Sequence, residues 1–184
     1  MSTITPTDLP AMAGIVLAGG LSTRMGRDKA LLQWQGRALL EHMQTLLLQA
    51  GARRVWISGD YPAFGGVPDS VARCGPLGGL YSVAMQMSDG PAWVVPVDTP
   101  LLCAALLQRL RAETSTSCTV FADEPLPMRL QIDDHCRCVL QELIQDPTAR
   151  RSLRALQEHL GVTRLPLAAE DRALLLNCNT PSEW

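Results

Sequence analysis

The chain has 184 residues, 47% of them hydrophobic, and a formal net charge of −2. This length suits a single α/β domain over residues 1–184 with a sizeable core. The slightly acidic net charge argues against duplex nucleic acid as a partner. No apolar run is long enough to span a membrane, so a membrane is not expected as a partner either.

Short aliphatic runs alternate with helical patterns along the chain, which is typical of a mainly parallel sheet flanked by helices. A flexible tail is expected over residues 1–12. The predicted strands are 14–17, 55–57, 92–95, 118–122, 162–167 and 173–176. The predicted helices are 39–50, 80–87, 101–111, 139–144 and 152–160. Prolines at positions 125 and 127 predict a loop or an edge connection over 123–128.

The most informative motif follows the first predicted strand, where residues 17–29 read L-A-G-G-L-S-T-R-M-G-R-D-K. Backbone N–H groups at the carboxyl end of a strand bind anions, and Gly19 and Gly20 let a triphosphate approach closely. Arg24 can donate two hydrogen bonds to phosphate oxygens, and Lys29 supplies a point charge. The segment therefore predicts a cradle for the phosphates of a nucleotide.

Two better-known phosphate-binding motifs do not fit this segment. A P-loop has Ser or Thr directly after its lysine, whereas Ala30 follows Lys29. A dinucleotide-binding motif has the spacing G-x-G-x-x-G, whereas Gly19 and Gly20 are adjacent and Gly26 is distant.

Asp98 follows the apolar run 94–97 and is the best candidate for a metal ligand. Ligands of open parallel sheets bind beyond the carboxyl ends of the strands, so Asp98 and the glycine turn should share one crevice. Mg²⁺ commonly uses one or two carboxylates together with substrate phosphates. The alternative is that Asp98 caps a helix beginning near Leu101.

Six cysteines and a polar segment over residues 1–10 favour a reducing, cytoplasmic location. The run His135-Cys136-Arg137-Cys138 lacks a C-x-x-C pair and a second ligand cluster, so structural thiols are favoured over a metal site.

The pattern L-A-G-G-x-S-x-R-M-G-x-D-K-A-L-L over residues 17–32 resembles the signature of the molybdenum cofactor guanylyltransferases of the MobA type. Three later motifs follow in the expected order, so the resemblance covers nearly the whole chain: Gly75-Pro-Leu-Gly-Gly79, Val95-Pro-Val-Asp-Thr-Pro100 and Asn177-Cys-Asn-Thr-Pro181. It implies a Rossmann-like three-layer fold. It also implies an Mg²⁺-dependent enzyme that transfers GMP from GTP to molybdopterin, releasing pyrophosphate and forming molybdopterin guanine dinucleotide.

The resemblance further implies roles for individual residues. Those implied in catalysis are Arg24, Lys29 and Asp98, with Asp98 also the metal ligand. Those implied in nucleotide binding are Leu17, Ala18, Gly19, Gly20, Lys29, Ser58, Asp69, Gly75, Gly78, Gly79 and Asp98. Those implied in binding the second substrate are Asn177, Asn179 and Thr180. Transient contact with molybdopterin-synthesis or acceptor proteins is also implied.

Several of these roles have structural alternatives. The carboxylate of Asp69 can accept from the N1 and N2 hydrogens of guanine, or it can form an Asx turn after Pro68. Some relatives carry Asn at the position of Ser58. The Asn177 amide could bind a heterocycle or cap a turn before Pro181.

Two other functions stay open at this point. Transfer of CMP from CTP to the same pterin is the closer one, although its enzymes tend to read Ala-Ala-Gly where this chain has Ala18-Gly19-Gly20, and Pro-Lys where it has Asp28-Lys29. The other is a non-catalytic carrier of nucleotide or cofactor, because a fold alone does not establish catalysis.

Overall fold

The structure is a computed structural model that describes residues 10–19 and 28–178. Within them the strands are β1 Ala13–Leu17, β2 Gln33–Trp34, β3 Arg37–Ala38, β4 Val55–Ser58, β5 Gly90–Pro96, β6 Cys118–Phe121, β7 Met128–Ile132 and β8 Val162–Leu165. The α-helices are α1 Leu39–Gln49, α2 Gly75–Ala84, α3 Ala104–Ala112, α4 Asp134–Gln145 and α5 Leu153–Leu160. Short 3-10 helices are Lys29–Leu31, Pro62–Phe64 and Glu170–Leu175.

The main sheet has six strands in the order β4-β1-β5-β7-β6-β8. Strands β4, β1 and β5 run parallel to one another, and β8 runs parallel to β6. Only β7 is antiparallel to its neighbours in this sheet, β5 and β6. The predicted mainly parallel sheet is therefore confirmed.

Helices cover both faces of the sheet. Along β5, Ala92 and Val94 join a core with α2, α4 and α5, whereas Trp93 and Val95 join a second core with α1 and α3. This alternation explains why β5 is a nearly continuous apolar run, since a strand covered on both faces has no solvent side. The three-layer α/β fold is confirmed.

Strand β7 is the main element that the sequence did not predict. The proline-rich segment is a loop as expected, but Met128 already begins a strand, and β7 lies inside the sheet. Arg129 interrupts its apolar pattern, yet this side chain is 5% exposed and its Nη1 donates to Thr116 O at 2.9 Å. A buried arginine in the middle of a strand interrupts the apolar sequence pattern from which a buried strand is usually predicted.

Other boundaries also differ from the prediction. The 173–176 strand is wrong, because the 3-10 helix Glu170–Leu175 occupies this segment. Helix α2 begins at Gly75 rather than Leu80, since Pro76 is compatible with the first helical turn. Met12 does not belong to a tail, because it is buried and its carbonyl accepts from Arg53 N at 2.9 Å. Residues 1–9 lie outside the described part.

Among the helices of residues 10–19 and 28–178, none combines the length and the apolar composition that crossing a membrane requires.

Candidate nucleotide-binding site

Three chain segments emerge side by side at one edge of the sheet. Gly19 lies two residues beyond β1, Ser58 is the last residue of β4, and Asp98 lies two residues beyond β5. The register aligns Leu17 with both Ser58 and Pro96, and Ala18 N donates to Ser58 O at 3.1 Å. The predicted shared crevice is thus present at the carboxyl ends of the parallel strands.

Ser58, Asp69, Gly19 and Gly79 form a tight cluster at this edge. A Cβ atom built on Gly19 would lie 3.5 Å from both Ser58 Oγ and Asp69 Oδ1. A Cβ built on Gly79 would overlap Ser58 Oγ and lie 3.3 Å from Asp69 Oδ1. Glycine at position 79 therefore lets α2 pack directly against the end of β4.

A cavity of about 1020 Å³ opens beside this cluster. Its lining includes Gly19, Asp28, Asp60, Tyr61, Asp69 and Arg73. Three carboxylates and one guanidinium suit the donor-bearing base and ribose of a nucleotide better than its phosphates, because like charges repel.

Asp69 is the cavity residue best suited to recognise a base. Its side chain is largely exposed, yet partial burial raises the pKa of the carboxyl. Within the described residues this carboxylate makes no hydrogen bond, so the Asx turn considered from the sequence is not formed. Both oxygens are therefore available to a ligand that offers N–H donors.

A second cluster lies where Lys29 meets Asp98. Lys29 Nζ is 3.2 Å from Asp98 Oδ2, and the two side chains are only 22% and 19% exposed. Cys178 N donates to Asp98 O at 2.8 Å, which brings the exposed residue Asn177 beside the pair. The three sequence-predicted residues of this region are therefore close together.

The surroundings of Asp98 fit an Mg²⁺ ion held mainly by substrate. Oδ2 faces Lys29, and Oδ1 makes no hydrogen bond in the described part of the chain. The same part contains no group of three His, Cys, Asp or Glu residues that could hold a metal by themselves. One carboxylate completed by phosphate oxygens and water is a common Mg²⁺ arrangement.

Asp98 does not cap the following helix. Helix α3 begins at Ala104, and its N-cap position is Cys103. The capping alternative for Asp98 is therefore wrong.

The remaining predicted residues differ in what the structure describes. Gly75 lines the cavity, and Leu17 O accepts from Val97 N at 3.2 Å. Gly78 is buried against Cys74, whose Cβ would lie 2.7 Å from an added Cβ, so close packing accounts for this glycine. Gly20, Arg24, Asn179 and Thr180 lie outside the described residues, and their roles stay predictions.

The sequence analysis did not assign several cavity residues to the site, among them Asp28, Asp60, Arg73 and Tyr61, and Tyr61 makes the most specific contacts of these. Its hydroxyl lies 2.9 Å from Asp28 Oδ1 and 3.2 Å from Ala18 O. Burial, together with the negative charge of Asp28, raises the pKa of Tyr61. The only sequence signal is the glycine-rich stretch G-D-Y-P-A-F-G-G over 59–66, which predicts a turn but no contact.

A comparison with protein families agrees with this geometry. The model of the MobA-like NTP transferase domain matches residues 14–161, a span that includes both clusters except Asn177. The chain belongs to this family. This MobA-like transferase is therefore an enzyme, a nucleotidyltransferase, and the carrier alternative is set aside.

Curated relatives extend over nearly the whole chain. The transferase is 51% identical over 172 residues to a molybdenum cofactor guanylyltransferase of Xanthomonas euvesicatoria, covering 93% of this chain and 91% of the relative. A protein of the same name from Pseudomonas syringae is 33% identical, with 96% of this chain and 92% of the relative covered.

Solved structures share the fold at low sequence identity. Molybdopterin-guanine dinucleotide biosynthesis protein A from Archaeoglobus fulgidus has a TM-score of 0.72 and 18% identity, covering 94% of each chain. The 2-C-methyl-D-erythritol 4-phosphate cytidylyltransferase from Thermus thermophilus has a TM-score of 0.67 and 16% identity, covering 95% of each chain. Because one of these neighbours is named a cytidylyltransferase, the fold does not determine which base the MobA-like transferase binds.

Proposed function

We propose that this nucleotidyltransferase moves GMP from GTP to the phosphate of molybdopterin, forming molybdopterin guanine dinucleotide and pyrophosphate. Two relatives that align over more than nine-tenths of the chain carry the name molybdenum cofactor guanylyltransferase, which supports this reaction. The six cysteines form no disulfide, which supports the cytoplasm as the location.

The observation that carries the choice of guanine is the Asp69 carboxylate. It lines the cavity without a hydrogen bond from the described residues, beside the small surfaces of Gly19 and Gly79. Guanine presents N1–H and N2–H side by side, and a carboxylate can accept from both at once. Cytosine lacks this donor pair, so the cavity should favour GTP.

The transfer itself requires no protein nucleophile. An oxygen of the molybdopterin phosphate attacks the α-phosphorus of GTP, forming a new P–O bond. The bond from the α-phosphorus to the bridging oxygen of the β-phosphate breaks, and pyrophosphate leaves with the electron pair. A phosphate monoester is already an anion near neutral pH, so the protein has to align the reactants and offset negative charge.

Lys29 and Asp98 are proposed to perform this work at the phosphates. Lys29 would donate from Nζ to the triphosphate oxygens, with Arg24 as a second cation. Asp98 would hold Mg²⁺ through its carboxylate, and the ion would supply charge neutralisation at the phosphate oxygens. Asn177, Asn179 and Thr180 would bind the pterin substrate with their amide and hydroxyl groups. Transient contacts with molybdopterin-synthesis or acceptor proteins also belong to this proposal.

The test is release of pyrophosphate from GTP or CTP in the presence of molybdopterin and Mg²⁺. Wild type is expected to act on GTP. Asp98→Asn, which keeps the shape and removes the charge, should lower kcat/KM by about 100- to 1000-fold, the range found when a preorganised electrostatic group is lost. A matched control is Asp134→Asn, since Asp134 is 98% exposed and begins α4 just after the end of β7 that pairs with Gly90, at the sheet edge opposite the site.

Release from CTP instead of GTP would contradict the base assignment and move it to cytidylyl transfer. Equal rates for Asp98→Asn and wild type would contradict the metal role of Asp98.

A further inference from the structure

Tyr61 is presented to the cavity by a compact turn that follows β4. Tyr61 N donates to Gly59 O at 3.0 Å, and Gly66 N donates to Tyr61 O at 2.9 Å. The turn is closed by Gly59 N, which donates to Val67 O at 2.9 Å. The backbone on both sides of Tyr61 is therefore fixed by hydrogen bonds within the turn.

Two glycines of this turn leave room for Tyr61, one for its ring and one for its backbone. Gly59 has a φ of +125°, and an added Cβ would lie 2.6 Å from Tyr61 Cε2. A Cβ on Gly66 would lie 2.5 Å from Gly59 O and 2.8 Å from Tyr61 N. A side chain at position 59 would displace the ring, and one at position 66 would displace the backbone of Gly59 and Tyr61, so both glycines are needed for the turn that presents Tyr61.

The hydroxyl of Tyr61 reaches the two residues that flank the glycine-rich segment 19–27. Ala18, whose carbonyl oxygen is 3.2 Å away, precedes the segment, and Asp28, whose Oδ1 is 2.9 Å away, follows it. Both groups are acceptors, so the single hydroxyl proton lies between them, closer to the charged one. A tyrosine hydroxyl is protonated at neutral pH, and the raised pKa of Tyr61 keeps it a donor at more alkaline pH as well.

Asp28 connects this contact to the cation of the site. The same oxygen, Oδ1, accepts from Ala30 N at 3.0 Å and caps the 3-10 helix that begins at Lys29. Lys29 in turn extends to Asp98. A displacement of Asp28 would therefore move the backbone from which the lysine side chain extends.

We propose that Tyr61 is a positioning residue for the nucleotide, whose hydroxyl holds Ala18 and Asp28 in place and, through Asp28, orients Lys29 before the triphosphate binds. The proposal rests on the nucleotide transfer proposed above. Because the arrangement exists in the free protein, its loss raises the ordering cost at binding and lowers affinity. The bound nucleotide restores the order, so the chemical step changes little.

Tyr61→Phe tests this by removing the hydroxyl and keeping the ring. The Kd for GTP with Mg²⁺, measured by calorimetry without molybdopterin, is expected to rise about tenfold, equal to about 1.4 kcal/mol. The kcat should stay within about threefold of wild type, and the KM for molybdopterin should not change. The matched control is Tyr81→Phe, because Tyr81 is the chain's other tyrosine and lies on α2 outside the cavity lining.

A double-mutant cycle with Asp28→Ala separates this role from general packing. If the hydroxyl acts through Asp28, Tyr61→Phe should weaken GTP binding by less than about threefold once Asp28 is gone. Hydrogen exchange gives a readout that needs no activity. The Ala30 amide donates a hydrogen bond to Asp28 Oδ1 and should exchange faster in Tyr61→Phe. The Ala155 amide donates to Ser152 Oγ at 3.2 Å, and its exchange rate should not change.

The outcomes distinguish this proposal from the proposed function. Unchanged GTP affinity in Tyr61→Phe, or equal losses with and without Asp28, would overturn the role of Tyr61 alone. GTP binding by wild type without pyrophosphate release would contradict the proposed transfer alone. Absence of binding to both GTP and CTP would contradict both.

Discussion

Asp69 and Ser58 show how much of the site depends on single residues. The sequence placed both in the nucleotide site only through family resemblance, because their spacing carries no signal of its own. The structure brings Ser58 Oγ and Asp69 Oδ1 to the same small space beside Gly19 and Gly79. The chemical character of that space is set by one carboxylate whose pKa is raised by partial burial.

Asp69→Asn should weaken GTP binding by about 10- to 150-fold, the range expected for losing a hydrogen bond to a charged group. An amide presents an N–H group where guanine also presents donors. In wild type the affinity should fall as Asp69 becomes protonated, and the raised pKa makes this loss begin at a higher pH than for an ordinary aspartate. Calorimetry between about pH 4 and pH 7 measures it.

The same substitution makes a prediction about folding. Because the folded state binds the Asp69 proton more tightly than the unfolded state, stability falls as pH rises through the window between the unfolded and folded pKa values. Asp69→Asn should therefore be slightly more stable than wild type at neutral pH, with the difference vanishing below about pH 3.9.

The binding experiment has its own contradicting outcome. If GTP affinity depends on pH in the same way for wild type and Asp69→Asn, the proposed role of Asp69 in binding guanine is wrong.

At the level of secondary-structure elements, the sequence predicted helices and strands best where one local pattern of residues was sufficient. Strands β1, β4 and β5 were found from short aliphatic runs, and α1 from its repeating apolar positions before Gly51, whose φ is +98°. Strand β7 was missed because Arg129 breaks the apolar pattern, and the carbonyl that accepts from its guanidinium lies in the loop before β6. Local sequence patterns cannot show that a carbonyl oxygen elsewhere in the chain will accept a hydrogen bond from a buried guanidinium.

Arg129 gives an element-level prediction. Burial lowers the pKa of this guanidinium, and its Nη1 donates to the loop before β6. Arg129→Ala should lower the free energy of unfolding by about 2–4 kcal/mol because it leaves a cavity in the sheet layer. Arg129→Met should change it by about 1 kcal/mol or less, since an apolar side chain of similar length often replaces a buried charge without loss.

Urea unfolding measures both Arg129 variants, with the exposed Arg150→Ala as the control. Equal losses for Ala and Met would show that the hydrogen bond to Thr116, rather than the filled volume, stabilises β7.

On the scale of the whole molecule, the site exists because β4, β1 and β5 are parallel and end at one edge. This much followed from the sequence, since Asp98 and the glycine turn both come directly after predicted strands. The position of Tyr61 did not follow, because it depends on the path of the whole 59–67 turn across the sheet edge. The family resemblance was correct because its motifs are runs of consecutive residues that can be read directly from the sequence, whereas the contacts of Tyr61 depend on the folded chain.

Binding of nucleotide should stabilise the molecule as a unit. At a GTP concentration of about one hundred times Kd, linkage adds about 2.7 kcal/mol to the free energy of unfolding. For a domain of this size the midpoint of thermal unfolding should rise by about 5–10 °C. Thermal scans with Mg²⁺ and equal concentrations of GTP or CTP measure it, and a shift with CTP as large as that with GTP would contradict selection of guanine.

The contact between Ser58 and Gly79 constrains how this family can diverge. The two residues share one small volume, so a methyl group at position 79 requires the Ser58 hydroxyl to rotate away or be lost, or α2 to move away from β4. A larger residue at position 58 must likewise point away from the helix. In an alignment of relatives the two positions should therefore covary, with bulky residues at both positions found together rarely or not at all.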